Sequence, residues 1–214
     1  VSVPALLFDL DGCLVDSLPS IVRCWERTLP RFGAPPPAGE VVRHLAGPPV
    51  DDVARRLLPD APPDRIAEVV AAYRRCSAAD AGSVPAYPGV VEMLTTLGTR
   101  GVRLGIATSK SIEVAERVLA ALGLRDHFDV VEGTPADALG TDKATVVARA
   151  LEALAPDVPI GLVGDRSHDI VGAHAHGLGG FGALWGYGGR AELESAGADG
   201  LFEAPADVLT LALV

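Results

Sequence analysis

The sequence predicts an α/β fold: a parallel sheet with helices on its faces, interrupted after the first strand by a small all-helical insertion. Three observations carry that expectation. From residue 88 onward, short apolar runs alternate with amphipathic stretches, the rhythm of strands joined by crossover helices. Before residue 80 only one strand candidate occurs, and helical pieces follow it. The length of 214 residues suits one large domain or a core with a small insert.

The elements follow in order. Residues 5–11, ALLFDLD, form a strand candidate that ends in carboxylates. Residues 16–32 read as a helix, with Ile21, Val22, Trp25 and Leu29 at helical spacing. The proline run at 34–39 breaks it, and helical pieces are expected at 39–45, 50–58 and 62–79. The last has Asp64 in its first turn and Ile66, Val69, Val70 and Tyr73 along one face. Then come a helix at 88–101, a strand at 102–109, a helix at 111–124 and a strand at 127–133. A helix at 141–155 has Thr141 as its expected N-cap. A strand at 158–165, a helix at 168–177, a strand at 179–186 and a weaker strand near 199–203 complete the chain. The division expected is an α/β core of residues 1–14 and 84–214 and a helical cap of residues 15–83.

Composition narrows the function. Hydrophobic residues make up 49% and charged residues 21%, which is globular and excludes a disordered tail. A net charge of −10 argues against polymeric nucleic acid or an acidic membrane as partner. No apolar run reaches membrane-spanning length, and VSVPALLFDLDG lacks the basic start of a secretory leader. Three cysteines without a CxxC pattern point to neither a disulfide framework nor a zinc knuckle. A cytoplasmic protein, monomeric or homodimeric, is expected. Of 18 basic residues only Lys110 and Lys143 are lysine, either by chance or because a compact ammonium serves there better than a planar guanidinium.

The chemistry sits at strand ends. The first strand ends in Asp9-Leu10-Asp11-Gly12, the second in Thr108-Ser109-Lys110, the fourth in Gly164-Asp165 through Asp169, and Lys143 opens the helix after the third. Parallel sheets bind ligands beyond the carboxyl ends of their strands, so these groups are expected to converge on one edge. Clustered carboxylates repel one another unless a cation neutralises them, and hard oxygen donors suit Mg²⁺. Asp9, the carbonyl of Asp11, and Asp165 are the expected metal ligands. A phosphate would then bridge metal, Lys143 and a hydroxyl. Asp9 can attack phosphorus as a carboxylate nucleophile, and Asp11 can serve the leaving oxygen and then water as general acid and base. Thr108, Lys110, Gly12 and Arg43 are the candidate substrate contacts, with Ser109 a better phosphate ligand than Thr108. Lys110 could equally pair with an acid. Arg43, on a breaker-rich cap loop with His44 and Gly47-Pro48-Pro49, could select the substrate or merely connect helices.

These four segments, in this order and spacing, resemble the motifs of the haloacid dehalogenase-like hydrolase superfamily, and the insert resembles the helical cap of its phosphoglycolate phosphatase-like branch. The resemblance implies a Rossmann-like core and Mg²⁺-dependent phosphatase chemistry on a small-molecule phosphate ester. It implies Asp9 as nucleophile, Asp11 as general acid/base, Ser109 as phosphate ligand, Lys143 as phosphate cation, Asp165 as metal ligand and Asp169 as an outer acid. Phosphoglycolate is the suggested substrate, a nucleoside 5′-monophosphate the alternative. A phospho-acceptor signalling module or an inactive binding protein is the reading of another class. Cys13 departs from the threonine usual at that place and offers a weaker hydrogen bond.

Other residues have plainer readings. Gly177 through Gly182 satisfies GxGxxG but precedes a strand where a dinucleotide site must follow one. His174 and His176 face different ways on a helix, which disfavours a zinc pair. His168 is left between packing and a contact near substrate. Trp185 and Tyr187 are expected in packing and a turn.

Overall fold

The computed structural model describes residues 4–135, 138–154 and 158–212. Six strands form one sheet: β1 (Pro4–Phe8), β2 (Arg103–Ser111), β3 (Val130–Thr134), β4 (Val158–Gly164), β5 (Gly179–Ala183) and β6 (Gly200–Phe202). Their order is β3-β2-β1-β4-β5-β6, and every pairing is parallel. The strand order reverses around β1, so the crevice beside β1 is where such a sheet binds ligands.

Side-chain alternation along β1 builds both faces of the core. Leu6 and Phe8 point into a cluster with Leu104, Ile106 and Val163 that is closed by α4 (Val90–Thr99) and α5 (Ile112–Ala121). Ala5 and Leu7 point the other way, against α6 (Lys143–Leu154) and α7 (Ser167–His174). All four side chains are fully buried.

Between β1 and β2 lie α1 (Leu18–Thr28), α2 (Val50–Leu57) and α3 (Pro63–Asp80), with 3₁₀ turns at Leu29–Phe32, Gly39–His44 and Ala81–Ser83. These helices bury a cluster of their own around Trp25, Leu29, Val53, Ile66, Val69 and Tyr73. The Trp25 and Tyr73 rings stack with centroids 4.3 Å apart.

The strand–helix order expected from sequence is present, and the differences lie at element ends and in a few short elements. β1 stops at Phe8 rather than residue 11, because the backbone turns at the acids to serve the site. The segment expected as a helix at 39–45 is a 3₁₀ turn. β5 ends at Ala183 rather than 186. The short helix α8 (Arg190–Ser195) and a 3₁₀ segment, Pro205–Ala212, had no expectation. Only Leu193 of α8 is buried, too little apolar periodicity to read. All three cysteines are free, and no described helix is long and apolar enough to cross a membrane.

Candidate active site

Asp9 is the first residue past β1, and its N–H still donates to the Val163 carbonyl at 2.9 Å. That bond ties the acid to the end of β4. The chain then folds back at once. Leu14 and Val15 N–H groups both donate to the Leu10 carbonyl, and Gly12 N–H donates to Val15. Gly12 holds φ +85°, a left-handed conformation that glycine adopts without strain. A Cβ there would stand 2.2 Å from Asp165 Oδ2, so the turn and the β4 acid fit only because the side chain is absent. A Cβ on Gly186 would meet Asp165 Cβ at 2.3 Å from the other side.

Lys143, the first residue of α6, brings its ammonium to 2.8 Å from Asp9 Oδ1 and 2.7 Å from Asp169 Oδ1. All three side chains are almost completely buried. Asp169 Oδ2 accepts from the Arg166 N–H at 3.0 Å, which fixes the carboxylate across the start of α7. Asp165 is fully buried; its Oδ2 accepts from the Tyr187 N–H at 2.7 Å. Carboxylate oxygens of Asp9, Asp165 and Asp169 lie within 4.8 Å of one another.

Two acids thus share one ammonium, and Asp165 stands close beside them. Burial pushes the Asp9 carboxyl up to about 6 against the opposing pull of Lys143, with Asp169 and Asp11 pushing further. Burial, then the charges of Asp169 and Asp9, push Asp165 well above the ordinary carboxylate range. Burial alone would lower the Lys143 pKa, but Asp169 and Asp9 outweigh it and keep the ammonium charged.

The donor set fits a divalent cation. Asp165 Oδ1 is buried with no hydrogen-bond partner, and a native protein rarely leaves such an oxygen without one. Hard carboxylate oxygens at this spacing, three acids against one ammonium, suit a hard divalent ion. Asp169 belongs to this close group, whereas the sequence reading placed it outside the first ring of ligands. The carboxylate of Asp11 stands apart from the group: its Oδ2 is 2.7 Å from Lys110 Nζ, while its Oδ1 is buried without a partner. Of the two roles left open for Lys110, pairing with an acid is the one seen.

Thr108 and Ser109 stand at the edge of the same cavity as Asp9 and Asp11. The Thr108 hydroxyl accepts from the Lys110 N–H at 3.2 Å, and the Ser109 carbonyl accepts from the Thr134 hydroxyl at 3.0 Å. These bonds shape the loop on which Ser109 and Lys110 sit. The backbone of Arg43 lies in the 3₁₀ turn Gly39–His44, but its side chain lies outside what the structure describes. Cys13 is buried, its thiol bonded to the Val163 carbonyl at 3.4 Å and its pKa pushed up by burial. It packs beneath the site. His168 Nε2 is buried without a partner near Gly47, and burial lowers its pKa.

Two residues matter more than their sequence context suggested. Tyr187 holds Asp165 through its N–H, while its hydroxyl accepts from the Leu18 N–H at 2.8 Å and donates to Asp16 Oδ1 at 3.0 Å. It joins the acid cluster to the start of the helical insertion. Arg166, also buried, bonds Glu192 at 3.0 Å and the Ala46 carbonyl at 2.5 Å. No local spacing marked either residue.

A parallel sheet with buried acids and a lysine at its carboxyl edge, beneath a helical insertion, is the arrangement of the haloacid dehalogenase-like class. The family model for haloacid dehalogenase-like hydrolases matches residues 6–182. The chain belongs to that family, in its phosphoglycolate phosphatase-like branch. It is 32% identical over 206 residues to a phosphoglycolate phosphatase from Synechococcus elongatus, covering 96% of this chain and 95% of that one. It is 38% identical over 186 residues to a protein named tyrosine-protein kinase PtkA from Mycobacterium tuberculosis, covering 86% of this chain; the chain spans 62% of that relative's length. A solved haloacid dehalogenase-like family hydrolase from Streptococcus pneumoniae superposes with a TM-score of 0.84 at 30% identity, over 97% of each chain.

Proposed function

We propose that the protein is a Mg²⁺-dependent phosphatase of small organic phosphate monoesters that works through an aspartyl-phosphate. The observation that carries this reading is the buried meeting of Asp9, Asp165 and Asp169, two of them paired with the Lys143 ammonium, with the Asp11–Lys110 pair lining the cavity above. Asp9, Asp165 and Asp169 would hold the ion, which supplies positive charge for the phosphoryl oxygens and lowers the repulsion between nucleophile and substrate.

Lys143 fixes the Asp9 carboxylate and keeps it from rotating away from the approaching phosphorus. An Asp9 oxygen forms a bond to phosphorus as the ester P–O bond breaks, and the leaving oxygen keeps that electron pair. Lys110 shifts its contact from Asp11 to a phosphoryl oxygen, alongside the Ser109 hydroxyl. Asp11 then gives the leaving oxygen its proton and takes one back from water, which adds to phosphorus and expels Asp9 as a free carboxylate. The net change is ester plus water to alcohol plus phosphate.

Residues 15–83 act in this reading as a cap. Besides the Tyr187 hydroxyl on Leu18 and Asp16, bonds from the insertion to the core include Arg166 to the Ala46 carbonyl, the Gly140 N–H to Asp51 at 3.0 Å, and Arg74 to the Ala138 carbonyl at 2.9 Å. Covering the acyl-phosphate limits solvent to the water that Asp11 activates. The test is turnover of p-nitrophenyl phosphate with Mg²⁺ and with chelator. Metal-dependent release of phosphate supports the reading; its absence at high enzyme concentration refutes it.

A further inference from the structure

The cavity over the acids has two unlike sides. The core supplies a polar floor: Asp9, Asp11, Thr108, Ser109, Lys110 and Ser111. The insertion supplies an apolar wall: Ile21, Trp25, Leu45, Val50, Val53 and Tyr73. Among the described residues lining the insertion side, Arg74 is the only cation, and its guanidinium already donates to the Ala138 carbonyl. Ser77 adds one hydroxyl.

A phosphate monoester bound through its phosphoryl group to the floor turns its leaving group toward this wall. The wall discriminates among leaving groups by what they cost to desolvate. A glycolate carboxylate would find one described cation, Arg74, among mostly aliphatic and aromatic side chains, and away from that guanidinium an ionised group is disfavoured. A ribose would bury hydroxyls against a surface with few polar partners. An uncharged ring loses nothing polar there, and it gains contact with the stacked pair of Trp25 and Tyr73.

We infer, on the phosphatase reading above, that the protein's substrates are phosphate monoesters whose leaving group is an uncharged aromatic or similarly compact apolar moiety, seated against the wall formed by Trp25, Tyr73, Val50 and Val53. Net hydrolysis releases the aryl or arylalkyl alcohol and phosphate, with water as the only co-reactant.

The test compares kcat/KM for benzyl phosphate, 2-phosphoglycolate, glycerol 3-phosphate and adenosine 5′-monophosphate. All four leave through an alkyl oxygen, so leaving-group chemistry does not favour the ring. Burying one ring predicts a preference for benzyl phosphate of about tenfold to a hundredfold over each of the others. Val50 is only half-buried at the start of α2, so Val50→Arg tolerates its new side chain. It should cut benzyl phosphate turnover about tenfold or more and raise that of 2-phosphoglycolate. Calorimetry with benzylphosphonate and phosphonoacetate repeats the comparison without turnover, and tighter binding of benzylphosphonate is expected. Equal or better use of 2-phosphoglycolate or the nucleotide, or tighter binding of phosphonoacetate, overturns the apolar assignment while leaving a phosphatase. Lack of turnover of all four esters refutes the phosphatase reading itself, and the phosphonate comparison still decides what the wall prefers.

Discussion

Replacing Lys143 by Met tests the electrostatic logic of the site most directly. The ammonium is almost wholly buried and touches Asp9 at 2.8 Å and Asp169 at 2.7 Å, with Asp165 in the same cluster. Met matches the length of the stem but brings no charge. The variant leaves three carboxylates in a low-dielectric pocket with no cation. Breaking a buried ion pair by removing one partner costs about 3–5 kcal/mol. For a chain of this size that corresponds to a fall in Tm of about 6–20 °C. Thermal and urea unfolding in the presence of chelator measure it. Two controls separate charge from packing. Lys143→Met with Asp169→Asn removes one of the stranded acids and should recover about 1–3 kcal/mol relative to the sum of the single changes. Millimolar Mg²⁺ should stabilise Lys143→Met more than wild type, because binding that favours the folded state adds RT ln(1 + [L]/Kd). A Lys143→Met protein within about 0.5 kcal/mol of wild type in chelator, with no coupling in the double variant, would show that the ammonium does not neutralise the acids.

Three further outcomes are expected. Asp9→Asn should abolish phosphatase turnover yet fold, and near-normal rates would remove Asp9 from the nucleophile's place. Its stability carries a pH signature in metal-free protein: the folded pKa is raised, so the ionisable acid contributes most to stability below its ordinary value of 3.8 and loses that contribution as pH rises through about 6. Wild type should therefore weaken relative to Asp9→Asn over that window, and a flat difference between the two proteins refutes the raised pKa. Gly12→Ala should cost about 2–4 kcal/mol in urea unfolding, from its left-handed φ and the clash with Asp165, and should weaken Mg²⁺ binding; unchanged metal affinity would mean the turn does not cradle that acid. Tyr187→Phe strips the hydroxyl from the Leu18 N–H and Asp16 and should lower the urea midpoint by the equivalent of about 1–3 kcal/mol with an unchanged slope, whereas an unmoved midpoint would show that water replaces it.

How much of this was legible in the amino-acid string varies by element. The strand–helix alternation after residue 88 and the helical run before residue 80 were readable because periodicity is a local property: burying one face imposes spacing on neighbouring residues. The acids and lysines at strand ends were readable for a related reason, since a parallel sheet gathers its strand ends at one edge. Element ends were less so. β1 stops at Phe8 because the turn at Gly12 is shaped by Asp165, 153 positions away, which no local window contains.

The chain's letters alone determined the sheet, the inserted helices and the gathering of Asp9, Asp11, Ser109, Lys143 and Asp165 at one edge. Tertiary structure alone decided the rest: that Lys143 bridges Asp9 and Asp169, that Lys110 pairs with Asp11, that Tyr187 supports Asp165, and that the Ala46 carbonyl receives Arg166. The physical reason is that two of these bonds use a backbone N–H or carbonyl, groups that nearly every residue carries and no letter distinguishes. The others join side chains whose proximity depends on how α6, α7 and the insertion pack against the sheet. The character of the cavity wall is of the same kind, because α1, α2 and α3 each contribute apolar residues that face the acids only once those helices have packed together.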